Sequence, residues 1–240
     1  MKQRLDRLLV ERGMADSREK AQALIMAGDV LVEGQKALKP GHAIDDASRI
    51  EITAKMPYVS RGGLKLAAAL DRFQIDVSGL ICLDVGSSTG GFTDCLLQHD
   101  AARVHAVDVG AGQLDWRLRN DPRVTVHEGI NARHLRFEDI GEYAALATVD
   151  VSFISVTLIL PAIAAILRPE GRMVILVKPQ FEVGKGRVGK GGIVRSSEQH
   201  HEVCARVEAA VRDLGFETSI MESPITGAEG NKEFLLYARH

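Results

Sequence analysis

Four charged residues stand where an apolar chain has little reason to carry them. Asp150 follows the apolar run 146–149, and Lys178 follows Val174-Ile175-Leu176-Val177 and precedes Pro179. Both should point from strand ends into the crevice where open α/β sheets bind ligands. Lys65 falls on the helix that begins after Arg61-Gly62-Gly63, and Glu233 enters the last strand. Singly, each reads as a solvated charge or a structural ion pair; jointly, they need a better explanation. An amine that is neutral at working pH can draw a proton from a weakly nucleophilic hydroxyl. Lys178 is the expected base. Desolvation between buried strands and the like charge of Lys65 favour its neutral form, while Asp150 opposes them and fixes its position. Lys65 would also stabilise an oxygen as it becomes anionic, and Glu233 would orient a lysine or the substrate.

A second constellation lies at residues 80–94, LICLDVGSSTGGFTD. The apolar run 80–83 predicts a buried strand, with Asp84 at its carboxyl end and facing the pocket. Gly86 lets the backbone turn, and Gly90 and Gly91 open the next helix with little bulk. A dinucleotide fingerprint requires G-x-G-x-x-G, and Ser88 replaces its middle glycine, which disfavours close approach of a pyrophosphate. The spacing instead suits a cationic amino-acid cofactor such as S-adenosylmethionine. The run 103–107 ends in Asp108, where a second strand would present a carboxylate to both ribose hydroxyls. The candidate cofactor contacts are therefore Asp84, Gly86, Ser87, Ser88, Thr89, Gly90, Gly91, Phe92, Asp108 and Val109. Glu128 and Asn131 are candidates for the adenine side, although a strand-end turn uses the same letters.

These residues need a sheet to hold them, and the chain after Tyr58 supplies its pattern. Helices are predicted over 63–73, 92–99, 156–167 and 199–214, and strands over 80–83, 104–107, 124–126, 147–149, 173–177 and 233–238. That alternation predicts a mostly parallel sheet covered on both faces, an α/β fold. Residues 1–57 have another texture. A short amphipathic helix over 4–11 precedes a helix over 18–27, capped by Ser17 and stopped by Gly28. Strands follow over 30–32 and 49–52, and residues 53–57 read as a linker ahead of a domain spanning 58–240.

At 240 residues with net charge −2, the chain has no global signature of a nucleic-acid binder, so any RNA site must be a local patch. Its 45% hydrophobic and 5% aromatic content suits an aliphatic-core enzyme. Cys82, Cys95 and Cys204 fit neither a zinc site nor a disulfide framework and read as buried thiols of a reducing cytosol; no metal is expected. Residues 144–167 are long enough to span a bilayer, but Asp150 and Pro161 favour a buried strand and a helix instead. Residues 184–190 fit G-x-x-x-x-G-K, yet Gly191 stands where magnesium needs Ser or Thr. A mobile basic flap carrying Lys185, Arg187, Lys190 and Arg195, ordered by RNA phosphates, is the better reading, against a merely disordered glycine loop. Trp116 is assigned to packing or to RNA stacking.

Two family resemblances emerge from these motifs. RLDRLLVERGMADSREKAQALIMAGDVLVEG resembles the RNA-binding module first described in ribosomal small-subunit protein four, across nearly all of residues 2–53. That likeness implies that Arg4, Arg7, Arg18 and Lys20 meet RNA phosphates, positioning RNA rather than reading its sequence. SRGGLKLAAALDRF, LDVGSSTGGFTD, AVDVGAGQLDWRLR, VDVSFIS, LVKPQFE and EGNKEFLLYAR together resemble the TlyA or haemolysin-A family of RNA ribose methyltransferases, over essentially the whole chain. This resemblance implies a doubly wound, Rossmann-like methyltransferase fold and a Lys-Asp-Lys-Glu set, here Lys65, Asp150, Lys178 and Glu233, acting on a ribose 2′-hydroxyl of cytidine in ribosomal RNA. The rival expectations are a non-catalytic ribosome-assembly factor and a membrane-active haemolysin.

Overall fold

In the computed structural model, which describes residues 2–37, 39–52, 56–184, 186–227 and 230–240, the chain divides into two units, Met1–Met56 and Pro57–His240. Residues 53–55, the centre of the expected linker, lie outside the described residues.

In the first unit, β1 (Lys2–Arg4) leads directly into α1 (Leu5–Glu11), and α2 spans Arg18–Ala27. The Ser17 side chain accepts from the Lys20 backbone N–H, satisfying one of the amides that a helix start leaves unpaired, and Gly28 ends the helix in the left-handed conformation. Leu5, Leu9 and Ile25 are fully buried and pack with Val30, Ile44 and Ile50. β2 (Val30–Val32) pairs antiparallel with β3 (Gln35–Lys36) and β5 (Ile50–Ile52), and β1 pairs with β4 (Ala43–Asp45). β1, β3 and β4, of two or three residues each, are missing from the sequence expectation.

The second unit is a seven-stranded sheet in the order β11-β12-β10-β9-β6-β7-β8. Its helices and strands run in chain order: α3 (Gly62–Arg72), β6 (Ile81–Val85), α4 (Gly91–Gln98), β7 (Arg103–Asp108), α5 (Trp116–Arg119), β8 (Val124–Glu128), α6 (Phe137–Ile140), β9 (Ala144–Val149), α7 (Leu160–Ala164), β10 (Leu167–Val177), α8 (Pro179–Glu182), α9 (Ser197–Arg212), β11 (Glu217–Glu222) and β12 (Phe234–Arg239). β6 to β10 are parallel neighbours, and β12 and β11 close one edge antiparallel. The parallel strands read as continuous Val, Ile, Leu and Ala runs because both faces are covered.

Two expected boundaries move. The segment 156–167 is not one helix: Val156–Leu158 forms a 3-10 turn, α7 starts with Pro161 in its first turn, and Leu167 already belongs to β10. Proline fits a first helical turn, where its missing N–H has no partner to lose. β6 also runs two residues further than expected, which places Asp84 inside the strand rather than at its end. Among the described residues, no helix is long and apolar enough to cross a membrane.

Candidate active site

The strand order reverses between β6 and β9, and that is where the chemistry-bearing side chains collect. β7 and β8 lie to one side of β6, whereas β9 and β10 lie to the other. Such a switch point leaves a crevice at the carboxyl edge of the sheet. Register brings the charged residues to that edge: Val85 pairs with Val149, Val149 with Ile175, and Val177 with Phe234. Asp150 and Lys178 each sit one residue beyond their strands, and Glu233 sits one residue before the antiparallel β12, so all three reach the same rim.

Lys65 arrives from α3. The start of this helix approaches the start of α4 closely, since a Cβ on Gly91 would lie 2.3 Å from the Ser60 Oγ and 3.0 Å from the Gly63 nitrogen. The Lys65 Nζ donates to Glu233 Oε2 at 2.5 Å, with both side chains almost fully buried. A second pair lies beside it: Lys178 Nζ is 2.6 Å from Asp150 Oδ1 and donates to Ser152 Oγ at 3.0 Å. Buried charges persist only when paired in this way.

The glycine elbow forms the adjoining wall. Gly86 has φ +83°, and a Cβ there would stand 2.4 Å from the Asp150 carbonyl oxygen, so only glycine lets the elbow touch the end of β9. Ser88 also adopts a left-handed conformation, at φ +48°, and its N–H donates to Asp108 Oδ2 at 2.8 Å, while Gly110 N–H donates to Oδ1 at 2.7 Å. Strain held by surrounding contacts is characteristic of ligand clamps. Two adjoining cavities open here and share Gly86, Ser88, Asp150 and Ser152. The first, about 430 Å³, has walls from Val107, Val109, Ile130 and Ile154 with Asp108 and Asn131 at its edge. The second, about 280 Å³, is bounded by Lys65, Ser87, Thr89, Gly91, Phe92 and Lys178. A largely apolar slot edged by Asp108 and Asp150 beside a small charged chamber fits an adenosine joined to a charged amino acid.

Several expected contacts fall elsewhere. Asp84 does not face the pocket: it is fully buried, accepting from Thr93 Oγ1 at 2.6 Å and Thr148 Oγ1 at 2.9 Å, and lines neither cavity. Side chains alternate along a strand, so a residue inside β6 points into the layer beneath. Glu128 is turned away too, paired with Arg119 and accepting from the Gly112 N–H at 2.8 Å. Asn131 does line the first cavity, but its Oδ1 is engaged by the Arg133 N–H at 3.0 Å. Gly90 caps α4 in a left-handed conformation against Leu114 and Leu118 rather than lining a cavity. In the glycine loop, Arg187 forms a bidentate pair with Glu202 on α9, at 2.7 and 2.6 Å. Asn231 holds Gly192 O and Val194 N–H at 3.0 Å each, which ties 192–194 to the segment ahead of β12. Lys185 and the side chain of Lys190 lie outside the described residues, and Arg195 is exposed. Trp116 is 71% exposed, which removes core packing as its role.

Burial lifts the Asp84 carboxyl to about 6, although both threonine hydroxyls favour its ionised form. An acid whose folded-state value lies above its unfolded one binds more protons folded than unfolded between the two. Stability should therefore fall as pH rises from about 4 to about 6, by about 3 kcal/mol, and stay level above. Asp84→Asn is expected to flatten that part of the curve in urea unfolding between pH 4.5 and 7.5; a parallel curve would contradict it. The thiols are likewise shifted by burial, Cys82 and Cys95 up to about 12 and Cys204 to about 11, which keeps them protonated and unreactive.

Other groups escaped the sequence reading. Glu182 is 5% exposed and accepts from Ser155 Oγ at 2.7 Å and the Val156 N–H at 2.8 Å, fixing the segment that carries Asp150 and Ser152. Phe153 is 92% exposed at φ +66°, beside Phe181 at 5.1 Å, and lines the first cavity.

A switch-point crevice with a glycine elbow, a carboxylate ending β7 and no phosphate-binding fingerprint is the arrangement of an S-adenosylmethionine-dependent methyltransferase. Residues 58–240 match the FtsJ-like methyltransferase family and residues 3–50 the S4 domain. The chain belongs to the FtsJ-like methyltransferase family and carries an S4 domain at its amino end. It is 46% identical over 239 residues to the 16S/23S rRNA (cytidine-2′-O)-methyltransferase TlyA of Mycobacterium tuberculosis, covering 98% of this chain and 89% of that one. It is 44% identical to Hemolysin A of Brachyspira hyodysenteriae, covering 98% of both. A solved structure described as a candidate hemolysin from Streptococcus thermophilus superposes with a TM-score of 0.77 at 46% identity, covering 99% of this chain and 88% of that one.

Proposed function

We propose that the chain transfers a methyl group from S-adenosylmethionine to the 2′-hydroxyl of a cytidine in ribosomal RNA, acting in the cytoplasm. The observation that carries this reading is the convergence of two paired amines, Lys178 with Asp150 and Lys65 held from behind by Glu233, on the chamber beside the glycine elbow. The names of its relatives and its S4 domain support ribosomal RNA as substrate, and three buried free thiols suit a reducing compartment.

The sulfonium supplies an electrophilic methyl and its own leaving group, so the protein has to align and deprotonate. Gly86, Ser87 and Ser88 would hold the amino-acid end, and Asp108 the ribose of the adenosine. Lys178 takes the 2′-proton. Asp150 and Ser152 hold its Nζ in place, and Asp150 stabilises the ammonium as it forms. Lys65, held by Glu233, stabilises the oxygen as charge develops on it. Phe153, exposed beside Phe181 and next to Ser152 in the chain, offers a face on which the target base can stack. Phe153→Ala is expected to raise the KM for RNA and lower kcat by more than it weakens donor binding; unaltered kinetics would remove that role.

Incubation of the purified chain with labelled donor and ribosomal subunits or free ribosomal RNA, followed by digestion to nucleosides, tests the reading. Label should appear in 2′-O-methylcytidine. Label on a base, or none on RNA, would reject it.

A further inference from the structure

Asp6 is an acid in an unusual place for a surface expected to meet RNA. Its side chain is fully buried on α1 between Leu5 and the Leu8–Leu9 pair, and it makes a dense set of hydrogen bonds. Oδ1 accepts from Arg4 Nε at 3.0 Å, and Oδ2 accepts from Arg4 Nη2 at 2.9 Å, Arg18 Nε at 3.0 Å and Gln22 Nε2 at 2.9 Å. One carboxylate thereby ties the start of α1 to the first turn of α2.

The geometry leaves much of each guanidinium unspent. Arg4 keeps Nη1 and one N–H of Nη2, Arg18 keeps both Nη groups, and the two side chains remain 44% and 46% exposed. Arg4 is also backed by Gly41, where a Cβ would stand 3.0 Å from Nη1. Two long cationic side chains that would otherwise sample many rotamers are thus fixed around the same buried oxygen before any ligand arrives.

We propose that Asp6 is the positioning residue of a two-arginine phosphate clamp, holding Arg4 and Arg18 side by side so that their outward N–H groups grip one RNA phosphate. The Arg4 guanidinium keeps the Asp6 carboxyl far below the ordinary carboxylate range, so the brace stays charged at any working pH. Lys20 has no such brace: its partner Asp16 is 83% exposed. The proposal rests on the reading that the S4 unit contacts RNA backbone.

Its test has a sign that bulk electrostatics does not share. Removing a negative charge from a protein ordinarily tightens its hold on a polyanion. Asp6→Asn should instead weaken binding of ribosomal RNA by about tenfold and lower the slope of log affinity against log salt by about 1, as for one lost phosphate contact. The KM for RNA should rise with it, while kcat and donor affinity stay unchanged. Gly41→Val displaces the Arg4 fork without touching the carboxylate and should cause a similar loss, which keeps the proposal testable if Asp6→Asn unfolds. Unchanged or tighter RNA binding by folded Asp6→Asn, or by Gly41→Val, overturns the clamp. The double variant Arg4→Ala/Arg18→Ala separates the two levels. If it loses affinity where Asp6→Asn does not, only the brace fails; if it also binds normally, the RNA-gripping role of this surface fails with it.

Discussion

Lys178→Ala should abolish methyl transfer while the protein still binds its donor. Single-turnover transfer to ribosomal RNA is expected to fall by about 10²–10⁴, the range in which a positioned acid–base group contributes. Donor affinity should change little, because Lys178 does not line the slot that takes adenosine. Lys178→Arg sharpens the result. It keeps a cation opposite Asp150, but a guanidinium cannot give up its proton at working pH. A charge that merely attracted RNA would survive this change; a base would not. Near-normal turnover in either variant would end the assignment and leave the Lys178–Asp150 pair as a structural bridge between β9 and β10.

Gly86→Ala carries the other large effect, through backbone geometry alone. An L-residue in the left-handed region costs about 1–2 kcal/mol, and here the added methyl would also stand 2.4 Å from the Asp150 carbonyl oxygen. Either the elbow or the end of β9 must move, and both donor cavities border that contact. Donor binding should weaken by at least about a hundredfold, equivalent to about 3 kcal/mol, measured by calorimetry with S-adenosylhomocysteine. Gly79→Ala is the control: its φ is +70°, yet a methyl there meets nothing within 4 Å. It should lower stability by about 1 kcal/mol and leave donor affinity intact. Equal effects at both positions would mean that the elbow matters only for backbone strain.

The layout of the sheet was legible because its parallel strands are buried on both faces and so appear as unbroken aliphatic runs. Asp150 and Lys178 stood out because each ends such a run. What the sequence could not give was direction and partnership across long separations. Asp84 reads as a strand-end acid until β6 is seen to include it, and then it faces Thr93 and Thr148 instead of a ligand. Arg187 looks like a free cation in a stretch without acids, because Glu202 reaches it from a helix that starts ten residues later. β11 escaped because its half-exposed residues carry polar and apolar side chains without a clean alternation. Asp6 gives no sign in the sequence of its place: folding turns it inward beneath Arg4 and Arg18.

The most direct test of the central claim is a crystal structure of the protein with a donor analogue such as sinefungin, whose amine marks the place of the transferred methyl. The account predicts the Lys178 Nζ within about 5 Å of that amine, leaving room for a hydroxyl oxygen in near-attack contact with both, and Gly86 against the amino-acid portion. A Lys178 side chain turned to solvent, or an analogue seated away from the β6–β9 crevice, would contradict it.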